Sequence, residues 1–235
     1  MQEFILGAKA IGLYIIPAVS VMLIARTVLK VPDELFRKIL HFILLGAYVP
    51  FLFGFQTWWV SAAVAGSLVL ILYPLLAVAG KIPAFSSFVN ERKKGEFKSS
   101  MILALGMMVA SICVGWGIFN DRYLVLACIY AWGVGDAFAA LIGKKYGKHK
   151  VRWKLADSHK SVEGSVAMFV TSAISVCTVL LLRGGLSIIS CILIAGLAAL
   201  ASTLVELSTK DGFDTVSCPV AAMVIIIPLV QILGG

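Results

Sequence analysis

Eight long apolar runs recur along the 235 residues, and they limit what the chain can fold into more than any other feature. They cover about 5–25, 39–53, 56–79, 101–119, 123–143, 162–182, 186–207 and 216–233. A helix of about 20 apolar residues spans the hydrocarbon core of a bilayer. Only helices and closed barrels can satisfy their backbone polar groups there. The pattern therefore predicts an all-α integral membrane protein of about eight transmembrane helices, in one domain over 1–235. At 60% hydrophobic and 14% charged residues, a soluble globular class is excluded. The second run is short for a crossing, so it is expected to begin earlier, near Phe36, or to cross obliquely.

Loop charge sets the orientation. Seventeen of the twenty Lys and Arg fall in the connections after the odd-numbered runs, and only Lys9, Arg122 and Arg183 lie on the opposite side. The positive-inside rule then places both termini on the non-cytoplasmic side and the long, charged connections in the cytoplasm. The same rule accounts for the net charge of +8 without nucleic acid. Five cysteines stand singly in apolar runs, with no spacing for a disulfide framework or a zinc site. The first run lacks a basic leader and a small-residue cleavage site, so it reads as a retained helix. No internal repeat stands out, which weakens a secondary-transporter reading.

Complexity is concentrated on the cytoplasmic face, between Trp132 and Ser165. Asp136 sits inside an apolar helix, about 10 Å below the interface at 1.5 Å per residue. A charge at that depth needs a partner or a cavity. Ala139, Ala140, Gly143 and Gly147 share its face, and small residues there permit either helix packing or close approach of a ligand. The loop that follows carries Lys144, Lys145, Lys148, Lys150, Arg152, Lys154 and Lys160 against one acid, Asp157. Lys144 and Lys148 are one helical turn apart. Ser161, ahead of Glu163, Gly164 and an apolar run, marks a helix start. Such a start presents amide groups and a partial positive charge that suit a phosphate.

Glu206, Asp211 and Asp214 lie together between the last two runs, with only Lys210 among them. Three acids at the mouth of two apolar helices repel one another unless a cation or bases lie opposite. With Asp136 and Glu163 they are hard oxygen donors of the kind Mg²⁺ takes, usually one or two carboxylates at a time. Asp136, Asp211 and Asp214 are the first choices as metal ligands. On the first cytoplasmic connection, Arg37 and His41 share a helix face and suit a phosphate. The mixed-sign run 90–96 reads as a solvated or lipid-head segment.

These residues resemble a known family, the CTP-dependent lipid-alcohol kinases, which comprise dolichol kinase, phytol kinase and CTP-dependent diacylglycerol kinase. Asp136, Ala139, Gly143, Gly147 and Lys150 match the first half of its nucleotide signature, and Lys160, Ser161, Glu163 and Gly164 the second. His159 departs from the usual basic pair. Arg37-Lys38-x-x-His41 and the element from Glu206 through Asp211, Gly212 and Asp214 to Pro219 resemble its early and late motifs. The resemblance implies CTP as phosphoryl donor. On this reading Mg²⁺ on Asp136 and Asp211 or Asp214 bridges the β- and γ-phosphates. Lys150, Lys160 and Lys144 or Lys148 neutralise the triphosphate beside Gly143, Gly147, Ser161, Glu163 and Gly164. A membrane lipid alcohol enters from the bilayer, Asp214 accepts its proton, and Arg37 and His41 hold the transferred phosphate.

Two other readings stay open. A phosphatidate cytidylyltransferase also joins CTP to a membrane lipid, but transfers CMP. A transporter would place acids through the depth of the membrane, whereas only Glu3 and Asp121 lie on the opposite side. The identity of the lipid (polyprenol, dolichol, phytol-like alcohol or diacylglycerol) and any homo-oligomer are left open by the sequence.

Overall fold

The computed structural model describes residues 2–82, 85, 88, 95–151, 160–209 and 212–234. Asp211 and Lys210, the loop residues Arg152, Lys154, Asp157 and His159, and the stretch 90–94 lie outside the described residues. Eight helices among those described are long and apolar enough to cross a membrane. In order they are α1 Gln2–Leu23, α2 Asp33–Phe53, α3 Trp58–Ala79, α4 Glu96–Ser111, α5 Arg122–Tyr146, α6 Val162–Arg183, α7 Ile188–Ser208 and α8 Asp214–Leu233. Wider π-helical turns, Ile24–Val28 and Ile112–Ile118, extend α1 and α4.

Helix ends differ from the expectation where charge decides them. The second helix begins at Asp33, with Asp33 and Glu34 in its first turn, so the short second run does start earlier. Its acids face the partial positive charge of the helix start. The fifth runs on to Tyr146 and takes Lys144 and Lys145 into its last turn, where cations complement the exposed carbonyls. Those two lysines therefore belong to a helix end and not to the loop.

Two compact units divide the chain, 1–118 and 119–235. In the first, α1 packs on α2 and α3 on α4. Glu3 accepts from the amides of Gln56 and Thr57 and from the Thr57 hydroxyl at 2.8–3.0 Å, which fastens α1 to the start of α3. An Arg26–Asp33 ion pair at 2.7 Å closes the turn from α1 into α2.

In the second unit α5 packs on α6, α6 on α7, α7 on α8 and α8 back on α5. The unit is thus a closed four-helix arrangement, and α5 is the most buried of all eight spans. Helices in lipid gain little from apolar contact with one another, so close packing and polar ties hold them. Ser172 and Ser175 of α6 donate to the carbonyls of Ala131 and Tyr130 on α5. Cys218 of α8 and Ser202 of α7 exchange weak bonds through each other's carbonyls. At one end Asp121 caps α5 by accepting from Tyr123 and Leu124, and it pairs with Arg183 at the end of α6. The opposite end brings together the close of α5, the start of α6, the close of α7 and the start of α8.

Candidate functional site

The site is built at that second end. Asp136 is half-buried on α5, ten residues before Tyr146, or about 15 Å along the axis. Glu206 on α7 and Asp214 at the start of α8 are the other carboxylates at this end. Trp132, one helical turn before Asp136, is buried and donates its indole Nε1 to Asp214 Oδ2 at 3.1 Å. Asp214 is the first residue of α8.

Lys160 supplies the base opposite these acids. Its ammonium pairs with Glu206 Oε1 at 3.0 Å and donates to the backbone carbonyls of Glu206 and, at 3.0 Å, Thr209. Both partners are largely shielded, with side chains 18% and 15% exposed. The sequence singles out Lys160 and names Glu206 among the acids, but does not pair them.

Ser161 is the N-cap the sequence predicts: its hydroxyl accepts from Gly164 N at 3.2 Å. Two other early amides of α6 also have acceptors in the chain. Val162 N donates to His149 O at 2.9 Å, and Ser165 N donates to Ser161 O at 3.0 Å. Glu163 turns back to the segment leaving α5, accepting from the amides of Lys148 and His149, with His149 Nδ1 at 2.8 Å. An isolated antiparallel bridge between Lys150 and Ser161 ties the two ends of the central loop. The chain thus leaves and re-enters the bundle at one point, with Lys144, Lys148 and Lys150 exposed beside it.

The glycine stripe is used for close packing. A methyl group on Gly143 would lie 3.1 Å from Ser161 Oγ, and one on Gly164 would lie 2.9 Å from the Ala139 carbonyl. On Gly147 it would meet the Gly143 carbonyl and come within 2.7 Å of Ser161 Oγ. Of the two uses the spacing allows, the structure displays helix contact. Gly135, which the sequence reading passes over, seats Ser172 and Met168 of α6 in the same way.

Arg37 and His41 lie on α2, in the first unit, where Arg37 pairs with Glu96 at 3.5 Å. Trp132 and His149 are site residues that sequence reasoning missed. A signal for Trp132 exists, since it precedes Asp136 by four positions and so shares its face. Among the described residues no group of three His, Cys, Asp or Glu side chains is gathered closely enough to hold a metal ion by itself. Carboxylates within electrostatic reach, beside exposed lysines, fit a cation whose coordination a polyphosphate completes.

Two relatives are found among characterised proteins. A phytol kinase from Synechocystis sp. is 27% identical over 203 residues, which is 83% of this chain and 78% of that protein. A dolichol kinase from Saccharomyces cerevisiae is 29% identical over 150 residues, 62% of this chain and 27% of that much longer protein. Neither a family model nor a solved structure matches the chain. The chain is thus similar to two kinases named for lipid alcohols, in agreement with the family resemblance of its motifs.

Proposed function

We propose that the chain transfers the γ-phosphate of CTP to the hydroxyl of a membrane lipid alcohol, at the cytoplasmic face. The observation that carries this reading is that Lys160 pairs with Glu206, and Trp132, one turn from Asp136, holds Asp214, at the end where Lys144, Lys148 and Lys150 lie. The names of the relatives, phytol kinase and dolichol kinase, support an isoprenoid alcohol as acceptor. The choice of CTP rests on the motif resemblance, and the cytoplasmic face on the loop charges.

Phosphoryl transfer depends on positioning and on neutralising charge more than on covalent chemistry. Exposed Lys144, Lys148 and Lys150 meet the triphosphate oxygens as it approaches the end of the unit. Asp136 and a carboxylate of the Asp211–Asp214 element would hold Mg²⁺, which supplies neutralisation of the β- and γ-phosphates. Their donor chemistry fits, because one or two carboxylates suffice when phosphate and water complete the sphere. Asp214, positioned by the bond from Trp132, accepts the proton of the lipid hydroxyl. The apolar outer faces of the helices leave the alcohol in the bilayer while its hydroxyl reaches this end.

The test is purified protein with CTP or ATP, labelled in the α- or γ-phosphate, against phytol, polyprenol, dolichol and diacylglycerol. Label from γ-CTP on the lipid, with release of CDP, is the expected result. Label from α-CTP on a lipid acceptor, with release of pyrophosphate, would mean cytidylyl transfer and would overturn the proposal. So would the absence of lipid label from any nucleotide.

A further inference from the structure

Lys160 falls in the half of the motif assigned to the nucleotide, yet the structure occupies its ammonium elsewhere. An ammonium has three donors, and here three acceptors meet it: Glu206 Oε1, Glu206 O and Thr209 O. Two of these are carbonyls at the end of α7, where a cation complements the negative end of the helix. Lys144, Lys148 and Lys150 are exposed, whereas the Lys160 side chain is 18% exposed. Drawing it away to a phosphate would strand a shielded carboxylate, which is strongly destabilising.

What the three bonds hold is the elbow between α7 and α8. Thr209 is five positions before Asp214, and its hydroxyl also lies 3.1 Å from Ser217 Oγ on α8. Gly212, at φ +80°, makes the turn. Trp132 fastens the far side of the elbow through Asp214. The carboxylate is therefore located by two outside ties, one from the entry of α6 and one from α5.

We propose that Lys160 is a positioning residue: it clamps the close of α7 to the entry of α6 and so sets Asp214 for reaction, without touching the triphosphate. This deepens the phosphoryl-transfer reading and rests on it.

The experiment is a cycle of Lys160→Met, Glu206→Gln and the double variant, with Lys160→Arg alongside. It reads kcat, KM for CTP and the thermal unfolding midpoint of the detergent-purified protein. Lys160→Met is expected to lower kcat about tenfold or more while KM for CTP stays within about threefold. Lys160→Arg, which keeps the charge and can still cap, is expected to recover part of kcat and carries the kinetic arm if the Met variant does not accumulate. The double variant is expected to lose less than the sum of the single losses, in both kcat and midpoint. A KM for CTP raised about tenfold at preserved kcat would put Lys160 on the nucleotide and overturn the proposal. Additive midpoint losses would overturn it as well. If the unaltered protein transfers no phosphate, the kinase reading fails, while the unfolding cycle still decides the clamp.

Discussion

Trp132 and Asp214 stand 82 positions apart in the chain, and the indole Nε1 of one donates to a carboxylate oxygen of the other at 3.1 Å. The bond joins α5 to the first residue of α8 and fixes a carboxylate at the proposed site. Trp132→Phe keeps most of the buried ring volume and removes the donor. A hydrogen bond to a charged group contributes about 1.5–3 kcal/mol. The expected result is a loss of about tenfold or more in kcat with normal protein abundance, measured by γ-phosphate transfer from CTP at saturating substrate.

Asp136 is the acid that apolar sequence should not contain. Asp136→Asn keeps its size and removes its charge, and with it a donor to Mg²⁺. CTP-dependent phosphorylation should fall to background while the amount of protein in the membrane is unchanged. Full activity in this variant would remove Asp136 from the chemistry.

Gly147 is where the chain turns past Ser161. Gly147→Ala places a methyl group against the Gly143 carbonyl and 2.7 Å from Ser161 Oγ, with backbone on one side that cannot swing away. Overpacking of this kind costs about 1–3 kcal/mol. Gly143→Ala meets its nearest atom at 3.1 Å and should cost less. Thermal unfolding in detergent should rank Gly147→Ala below Gly143→Ala, and both below the unaltered protein.

Asp121 and Arg183 close the opposite end of the same unit. Asp121→Ala removes both the ion pair and the cap on Tyr123 and Leu124, and loss of a cap alone costs about 0.5–2 kcal/mol. Arg183→Ala removes the pair and a bond to the adjoining Gly184 carbonyl, and leaves the cap. Both should lower the unfolding midpoint, Asp121→Ala by more, and neither should change KM for CTP. A shift in KM would mean that the two ends are coupled.

Removing divalent cation is the simplest check on the acids. Chelation should stop transfer, and added Mg²⁺ should restore it. Activity that survives thorough chelation would separate Asp136 and Asp214 from any metal role.

Some of the site could be read along the chain because its signals are local. The helix start at Ser161 is one, since an N-cap hydroxyl and the amide it receives are three residues apart. The early start of α2 is another, because the acids of a first turn are visible in the stretch itself. The pairing of Lys160 with Glu206 spans 46 positions. No local pattern announces it, because it depends on where α6 and α7 lie and how each is turned about its axis. The sequence could name Lys160 and could not say what it touches.

Gly143, Gly147 and Gly164 show the same limit. Their spacing declares a close approach, yet whether a helix or a ligand fills the space depends on what lies opposite, and here it is α6 against α5. Hydropathy alone determined the eight helices, because a bilayer leaves an apolar run of that length no other way to satisfy its backbone. It could not orient them, since helices apolar on every side in lipid carry little record of which face meets a neighbour. Tertiary structure made that choice, through small residues and a few polar ties, and so brought Trp132, Asp136, Lys160, Glu206 and Asp214 to one end of one unit.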